Sequence, residues 1–466
     1  MKIFDSTISK VHCIGIGGVG VGPIAAYLHE MGIKVSGSDQ KANALTKRLE
    51  AMGITVFYQH SAKNISDPDL IIYSSAIAEN NPEIVWGKAH QIPVLKRAQM
   101  LQHILKQKIS VAVAGTHGKT TTTAILSYLL EHTQQDPSYI VGGLMQHSKQ
   151  YFRQGSGAVM VAEADESDGS LTELWPHIIL LNNIESDHLI NFDNDFNQLK
   201  HTFLKFLNQC DADGTIYVNC DDQLAYEMVK SCRTSHIKIG ESHGADYQII
   251  NYRQEGLKSH FSIAHHQTET PICLHLPGIH NAYNASMAFA CAHDLGVQAQ
   301  DLSRALSEFK GVGRRFNVIP LNISAQIHIT VINDYGHHPT EIAHTYQAAT
   351  EAFPHSNVHV IFEPHRFSRT QELFQAFVDA LKPVKHLIIM DTFTAGEAPL
   401  TGADSKDLLQ AIKNQTSCGQ HVASKEALFE IIKKQSSDGD VWIFQGAGSI
   451  GYLPEQLKDF LATLTT

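Results

Sequence analysis

The sequence predicts an α/β protein of three consecutive blocks, each a mainly parallel sheet covered by helices. Three observations predict it. Short runs rich in β-branched residues alternate with helical stretches along nearly the whole chain, as in strands joined by helical crossovers. At 466 residues the chain exceeds one ordinary domain, and roughly three are expected. Polar residues gather directly after the apolar runs, at strand carboxyl ends, where open α/β sheets bind ligands.

The first block covers residues 1–108, with strands at Val11–Ile14, Lys34–Ser36 and Leu70–Tyr73. Val11–Ile14 runs into Gly15-Ile-Gly-Gly-Val-Gly20, a G-x-G-x-x-G turn ahead of a helix. Asp39 closes the next strand, about where a ribose-binding acid falls. Gly15, Gly17, Gly18, Val19, Gly20 and Asp39 are therefore candidates for holding a dinucleotide or a nucleotide-sugar diphosphate. Tight helix–strand packing explains the glycines equally well. Ser74 and Ser75 follow the third strand, either as ligand contacts or as turn residues.

The second block covers residues 109–311. Its strand Ile109–Ala114 ends in Gly115-Thr-His-Gly-Lys-Thr-Thr-Thr-Thr123, with a helix predicted from Thr122 to Glu131. Glycines that admit close backbone approach, then a lysine and a hydroxyl, form a cradle for a polyphosphate. Gly115, Thr116, His117, Gly118, Lys119, Thr120 and Thr121 are the candidates; Lys119 reaches the β/γ-phosphates and Thr120 a Mg²⁺. Val113 stands where the usual phosphate loop has glycine, so this is a shortened variant for ATP or GTP. The strand Ala158–Ala162 ends in Glu163-Ala-Asp-Glu-Ser-Asp168, and Ile178–Leu181 in Asn182-Asn-Ile-Glu-Ser-Asp-His188. Uncompensated carboxylates beside a triphosphate repel it, so a divalent cation held by one or two of them is the simpler account. A strand at Thr215–Val218 follows. Residues 236–276 are polar and irregular, a small β excursion before a helix near Asn281.

The third block, residues 312–466, follows the hinge-like Gly311–Gly313. Its strands Ile327–Ile332, Val358–Phe362, His386–Met390 and Asp440–Phe444 lead into Asp334-Tyr-Gly-His-His-Pro339, Pro364-His-Arg-Phe-Ser-Arg-Thr370, Asp391 and Gln445-Gly-Ala-Gly-Ser-Ile450. A cationic, imidazole-rich rim suits a small substrate bearing a carboxylate, because arginine binds carboxylates through two parallel hydrogen bonds. A structural, hydrogen-bonded histidine is the alternative for each of His337, His338 and His365.

Composition narrows the classes. Hydrophobic content of 43% with 18% charged residues describes a soluble globular chain. A net charge of −11 argues against a nucleic-acid partner. No apolar run approaches the ~20 residues that span a bilayer, and the first residues lack a signal-peptide pattern, so a cytoplasmic location is expected. Seven scattered cysteines show no metal-ligand spacing; Cys13 and Cys291 read as reduced core thiols. Most of the 28 histidines read as solvated surface residues.

The motifs, taken in order, resemble the Mur ligase family across Val11 to about Gly451. They are Gly-Ile-Gly-Gly-Val-Gly, Ala-Gly-Thr-His-Gly-Lys-Thr, Glu-Ala-Asp-Glu-Ser-Asp, Asn-Ile-Glu-Ser-Asp-His, Gly-Ile-His-Asn-Ala-Tyr-Asn-Ala, Gly-Arg-Arg-Phe, Asp-Tyr-Gly-His-His-Pro-Thr-Glu and Pro-His-Arg-Phe-Ser-Arg-Thr. The last two motifs are the most specific to the L-alanine-adding members. The resemblance implies a Rossmann-like N-terminal domain, a central P-loop ATPase-like domain and a Rossmann-like C-terminal domain. It implies a bacterial cytoplasmic enzyme of peptidoglycan precursor synthesis, a monomer or weak homodimer without membrane or nucleic-acid partners. Its substrates would be ATP, UDP-N-acetylmuramate and L-alanine, joined through an acyl phosphate. Two Mg²⁺ ions, or Mn²⁺ in their place, are implied as cofactors.

Carried over by motif, Thr120, Glu163 and His188 are implied as metal ligands, with Lys119, Glu163, Asn183 and His188 at the reacting centre. His280 and Asn281 match the adenine pair, Asp334 the ribose contact, and Arg315 a further ATP contact. Tyr335, His337, His365 and Arg369 match the amino-acid pocket, while Gly15–Gly20, Asp39, Ser74 and Ser75 would serve the UDP-sugar. Two segments depart from the family pattern: Gly169-Ser-Leu171 follows Asp168 where the family usually has Ala-Ser-Phe, and Ser449 stands where it usually has Asn. The general base for the amine is left open among His337, His365, substrate phosphate and solvent. A cell-wall recycling ligase that attaches a preformed tripeptide is the alternative within the fold. An NAD-dependent oxidoreductase, suggested by Gly15–Gly20 and Asp39, would leave the phosphate loop and its acidic neighbours unexplained; a nucleotide-binding regulator without catalysis is a further alternative.

Overall fold

A computed structural model describes residues 2–3, 6–416 and 418–464. The chain divides into two compact units. One comprises Met1–Ile249, Ala264–Thr268 and Tyr283–Ala305, the other Ile250–Ile263, Glu269–Ala282 and Leu306–Thr466.

In the first unit, a five-stranded parallel sheet runs in the order Thr55–Phe57, Lys34–Ser38, Lys10–Ile14, Leu70–Tyr73, Val94–Lys96. Chain order reverses between Lys10–Ile14 and Leu70–Tyr73, and that switch point opens a crevice at the carboxyl ends of these two strands. The Gly15–Gly20 loop leaves from one of them and Ser74 from the other. The second sheet of this unit centres on Ile109–Ala114, with Val159–Glu163 and Ile178–Leu181 paired parallel on either side. All three strand ends named above therefore come together, because parallel pairing puts the three carboxyl termini side by side. Beyond Val159–Glu163 lie Ser138–Ile140 and Phe152–Arg153; beyond Ile178–Leu181 lie Thr215–Asn219, Ser235–Gly240 and the start of Tyr247–Glu255. The strands are apolar on both faces, as buried parallel strands require; Ile178–Leu181 and Leu70–Tyr73 are buried throughout. One core joins both sheets, from Val11 and Leu28 to Phe152, Phe203 and Val229. Trp175 N–H donates to Gln102 Oε1 at 2.8 Å, tying the helix Arg97–Leu105 to the second sheet.

Residues 236–276 are more regular than their composition predicts. They form strands Ser235–Gly240, Tyr247–Glu255, Lys258–His265 and Thr268–Leu274. Along Tyr247–Glu255 one set of alternate positions is buried at Tyr247 and Ile249 but exposed at Asn251, Arg253 and Glu255, the change falling at Asn251, which takes φ +57°. One solvated face makes such a strand look polar in sequence. In the second unit the sheet order is Asn317–Asn322, His328–Asp334, Val441–Gln445, Val358–Phe362, His386–Met390, Gln420–Val422, antiparallel only at the first pair. Trp442 is its largest fully buried side chain. Among the described residues no helix is long and apolar enough to cross a membrane. All seven cysteines are unpaired, and burial pushes the Cys13 thiol up to about 12.

Candidate active site

The phosphate loop is built by its neighbour. Gly118 takes φ +81° immediately ahead of the helix Lys119–His132, so the helix starts three residues earlier than its sequence pattern predicts. That left-handed turn aims the first N–H groups of the helix at one point, an arrangement suited to an anion. A side chain at Gly118 would strike Asn284 Oδ1 and Asn182 Nδ2. The segment after Ile178–Leu181 clasps the loop. Asn183 Oδ1 accepts from His117 N–H at 2.7 Å, its Nδ2 donates to His117 O at 3.2 Å, and Thr116 N–H donates to Asn183 O at 3.1 Å. Thr116 Oγ1 accepts from Glu185 N–H at 2.8 Å. Asn183 thus acts on the loop through both ends of its amide. Asn284 joins the same cluster, with Thr122 Oγ1 at 3.1 Å from its Oδ1. The sequence singled out neither Asn182 nor Asn284 and left Glu166 undistinguished among the four acids of Glu163–Asp168; for Asn284 the available signal was its place one helical turn beyond Asn281.

Lys119 bends back over the loop. Its Nζ donates to Gly115 O at 2.6 Å and Thr116 O at 3.1 Å, and pairs with Glu166 at 2.8 and 2.9 Å. Burial alone would lower the lysine's pKa, but the carboxylates of Glu166, Asp165 and Glu163 outweigh it and raise it, so the ammonium is retained. Burial, with Asp165 nearby, pushes Glu166 up to about 7 although Lys119 opposes the shift. Thr120 Oγ1 lies 3.0 Å from Glu163 Oε2. Adjacent oxygen ligands of an octahedral Mg²⁺, each about 2.1 Å from the ion, sit about 3 Å apart, so the spacing of this pair matches two ligands of such an ion. Glu163 also accepts from Gly142 N–H at 2.5 Å, which orients its carboxylate. His188 has φ +58°, and its Nε2 is 3.4 Å from Asp187 Oδ2. A non-glycine residue held in this conformation is strained, and such strain concentrates at functional positions.

In the glycine loop, Asp39 Oδ2 accepts from Gly17 N–H at 2.9 Å, which sets Asp39 against the loop itself. Gly18 N–H donates to Gly15 O, and Gly15 and Ile16 N–H donate to Ser38 O at 2.8 and 3.1 Å. Ser38 in turn donates to the fully buried Glu83 at 2.5 Å. Val19 is exposed at the loop tip. Ser74 forms the turn beside Gly15, its Oγ accepting from Ala76 N–H at 3.3 Å, and Ser75 is exposed next to it.

The second unit gathers the remaining candidates. Asp334, last residue of its strand, accepts from Phe316 N–H, Gly336 N–H and Gln445 Nε2, each at 2.8 Å. Burial raises its pKa, and Arg315 opposes the rise. His337 N–H donates to Glu341 Oε2 at 2.9 Å, and the Tyr335 and His337 rings meet edge to face at 5.3 Å. The His337 and His365 rings are 5.7 Å apart, and Arg369 Nη1 lies 3.4 Å from His365 Nδ1. Tyr335, His337, His365 and Arg369 therefore form one group, with the guanidiniums of Arg314 and Arg315 over the Tyr335 ring. Arg366, at φ +73°, is strained beside them. Glu363, buried under the same rim, takes hydrogen bonds from Ser449 Oγ and Ile450 N–H. His280 stacks on His344 at 5.1 Å; burial holds it down to about 3, so its ring is neutral. Asn281 Nδ2 donates to Pro277 O at 2.7 Å.

Three family models match in succession: Mur ligase family, catalytic domain, over residues 10–109; Mur ligase middle domain, over 113–292; and Mur ligase, glutamate ligase domain, over 314–448. The chain belongs to the Mur ligase family. It is 38% identical over 454 residues to a UDP-N-acetylmuramate–L-alanine ligase of Coxiella burnetii, covering 97% of this chain and 98% of the relative. The crystal structure of a UDP-N-acetylmuramate–alanine ligase from Thermotoga maritima superposes with TM-score 0.83 at 29% identity, covering 98% of this chain and 99% of the other. A murein peptide ligase from Psychrobacter arcticus shares the fold, with TM-score 0.71 at 22% identity over 97% and 98% of the two chains. As a Mur ligase the protein is an ATP-dependent ligase that adds an amino acid to UDP-N-acetylmuramate. The three-domain α/β architecture expected from the sequence is that of the family.

Proposed function

We propose that this Mur ligase joins L-alanine to the lactyl carboxylate of UDP-N-acetylmuramate, releasing ADP and phosphate. The observation that carries the reading is the meeting of Lys119, Thr120 and Glu163 where two neighbouring parallel strands end, a phosphoryl-transfer site beside which a carboxylate can be activated. The full-length likeness to the Coxiella burnetii relative supports L-alanine as the amino acid.

An ionised carboxylate is a poor acyl donor. Its oxygen therefore attacks the γ-phosphorus of ATP, the bond to the β-phosphate oxygen breaks, and an acyl phosphate and ADP result. Lys119 turns from Glu166 towards the transferring phosphoryl group and offsets the charge that builds there. Thr120, Glu163 and His188 would hold Mg²⁺, which when bound neutralises phosphate charge and polarises the phosphoryl oxygens. Asn183 keeps the loop in register through the His117 backbone. The amine of L-alanine then attacks the acyl carbon, and phosphate leaves with the former carboxylate oxygen. Arg369 would grip the alanine carboxylate, with Tyr335, His337 and His365 around it. The neutral His280 and Asn281 would meet adenine, and Asp334 and Arg315 the rest of the nucleotide. Gly15–Gly20 would receive the UDP diphosphate.

The test is ADP release from purified protein with ATP, Mg²⁺ and UDP-N-acetylmuramate, supplied with either L-alanine or the tripeptide L-alanyl-γ-D-glutamyl-meso-diaminopimelate. Turnover with L-alanine is expected; turnover with the tripeptide alone would overturn the reading in favour of recycling.

A further inference from the structure

A cavity of about 310 Å³ opens within the second unit, where the turn at Leu257, the residues just after Thr268–Leu274 and the segment Lys310–Val318 meet. Its floor is apolar, built from Leu257, Leu276, Pro277, Phe316 and Val318. The charged groups around it are all of one sign. Lys258, His275 and Lys310 line it, and among its described lining residues there is no carboxylate.

This charge is not balanced within the fold. Lys258 and Lys310 are exposed and enter no ion pair among the described residues, whereas the neighbouring His260 has Glu255 at 3.5 Å. Desolvation, and then the charges of Lys258 and His260, lower the pKa of His275. Like charges gathered round one cavity repel, and an anion placed among them removes the repulsion. In a chain of net charge −11, a cavity walled by cations alone stands apart from the average surface. Arg315 also lines it, but its guanidinium lies over the Tyr335 ring at 5.0 Å and 3.8 Å from Glu341, so that charge is committed elsewhere. His280, Asn281, Asp334 and Tyr335 lie outside the lining, which separates the cavity from the candidate nucleotide and amino-acid contacts.

Ligand pockets combine an apolar wall with a few placed polar groups and span about 300–1,000 Å³. This one is at the lower limit, with room for one ring and a headgroup. Two ammonium groups beside an imidazole suit a dianion, and lysine binds phosphate as a point charge. We propose that the cavity binds a phosphate monoester whose organic part is an apolar group the size of a single ring. The phosphate meets Lys258, His275 and Lys310, and the apolar part lies against Leu276 and Phe316.

Phenyl phosphate is the probe. It is titrated calorimetrically into the full-length protein, first alone and then with Mg²⁺, a non-hydrolysable ATP analogue and UDP-N-acetylmuramate at saturation, so that the phosphate sites of the candidate active site are filled. One site should remain open to it, with a Kd on the order of 1 mM or tighter. Inorganic phosphate and benzyl alcohol, each offering half of the ligand, should bind at least about tenfold more weakly. Replacing both lysines, Lys258→Gln with Lys310→Gln, should cost about tenfold or more in affinity without moving the melting temperature, since both are exposed. Val318→Trp, which keeps the cations and fills the cavity, should weaken binding as well. The proposal is overturned if the filled wild type shows no such site, if the double-lysine variant binds as the wild type does, or if inorganic phosphate binds as tightly as phenyl phosphate. Displacement of the probe from this site by the ATP analogue would overturn it too, by assigning the cavity to the nucleotide.

Discussion

Glu83 links the stability of the first sheet to the shape of the glycine loop, and replacing it should disturb both. The carboxylate is fully buried. It lies 2.5 Å from Ser38 Oγ, 2.8 Å from Asn64 Nδ2, 3.3 Å from His60 Nδ1 and Ser61 N, and 3.5 Å from His12 Nε2. Burial raises its pKa, but the hydrogen bonds from His12, Ser38 and Asn64 outweigh this and bring it from 4.5 to about 2. At about 1.4 kcal/mol per pKa unit, the surroundings favour the charged form by about 3 kcal/mol. Glu83→Gln keeps the size but turns an amide donor towards a ring of donors. The expected cost is of that order, a fall of about 6–12 °C in the melting step of the first unit. The pH dependence follows from the depressed pKa. The contribution is present above the unfolded value of 4.5 and is lost as pH falls towards about 2, so the gap between wild type and variant should be full at pH 7 and narrow below pH 4.5. Because Ser38 O receives the Gly15 and Ile16 N–H groups, KM for the nucleotide-sugar should rise as well. Calorimetry from pH 7 to pH 3 with steady-state kinetics measures all three. A variant that melts with the wild type, or a gap that does not change with pH, would refute the reasoning.

Three further outcomes are expected. Gly118→Ala adds left-handed strain of about 1–2 kcal/mol and a contact with Asn284 and Asn182, so ATP-analogue affinity should fall by tenfold or more; unchanged affinity by titration would count against the loop geometry. Glu163→Gln should leave the fold intact while raising the Mg²⁺ concentration needed for half-maximal ADP release, and chelation with EDTA should silence the wild type; an unchanged metal profile would remove Glu163 from the metal site. Arg369→Lys loses the planar fork and should raise KM for L-alanine with little effect on KM for ATP, whereas equal changes in both would point to a structural role.

Much of the architecture was legible because buried parallel strands carry their own signal. Leu70–Tyr73, Ile178–Leu181, Val358–Phe362 and His386–Met390 are strands with the bounds read from their apolar runs, and the polar groups at their ends lie where that class of sheet binds ligands. For Tyr247–Leu274 a small β excursion was legible but its three long strands were not, since strands with a solvated face hide half their pattern. The start of the phosphate-loop helix was misread for another reason: Gly118 turns the chain by backbone conformation, which residue type permits but does not dictate.

By itself the sequence determined the fold class, the strand ends and the chemistry of the groups displayed there, because these depend on local pattern and side-chain type. Tertiary structure alone decided which groups meet. Glu166 was one of four acids until parallel pairing set its strand beside the phosphate loop and gave it Lys119. Asn183 became a clasp and Asp39 a support for its own loop only through contacts between residues far apart in the chain. The physical reason is that a pairwise contact depends on distance in space. Distances of this kind are set by packing, which no single stretch of sequence contains.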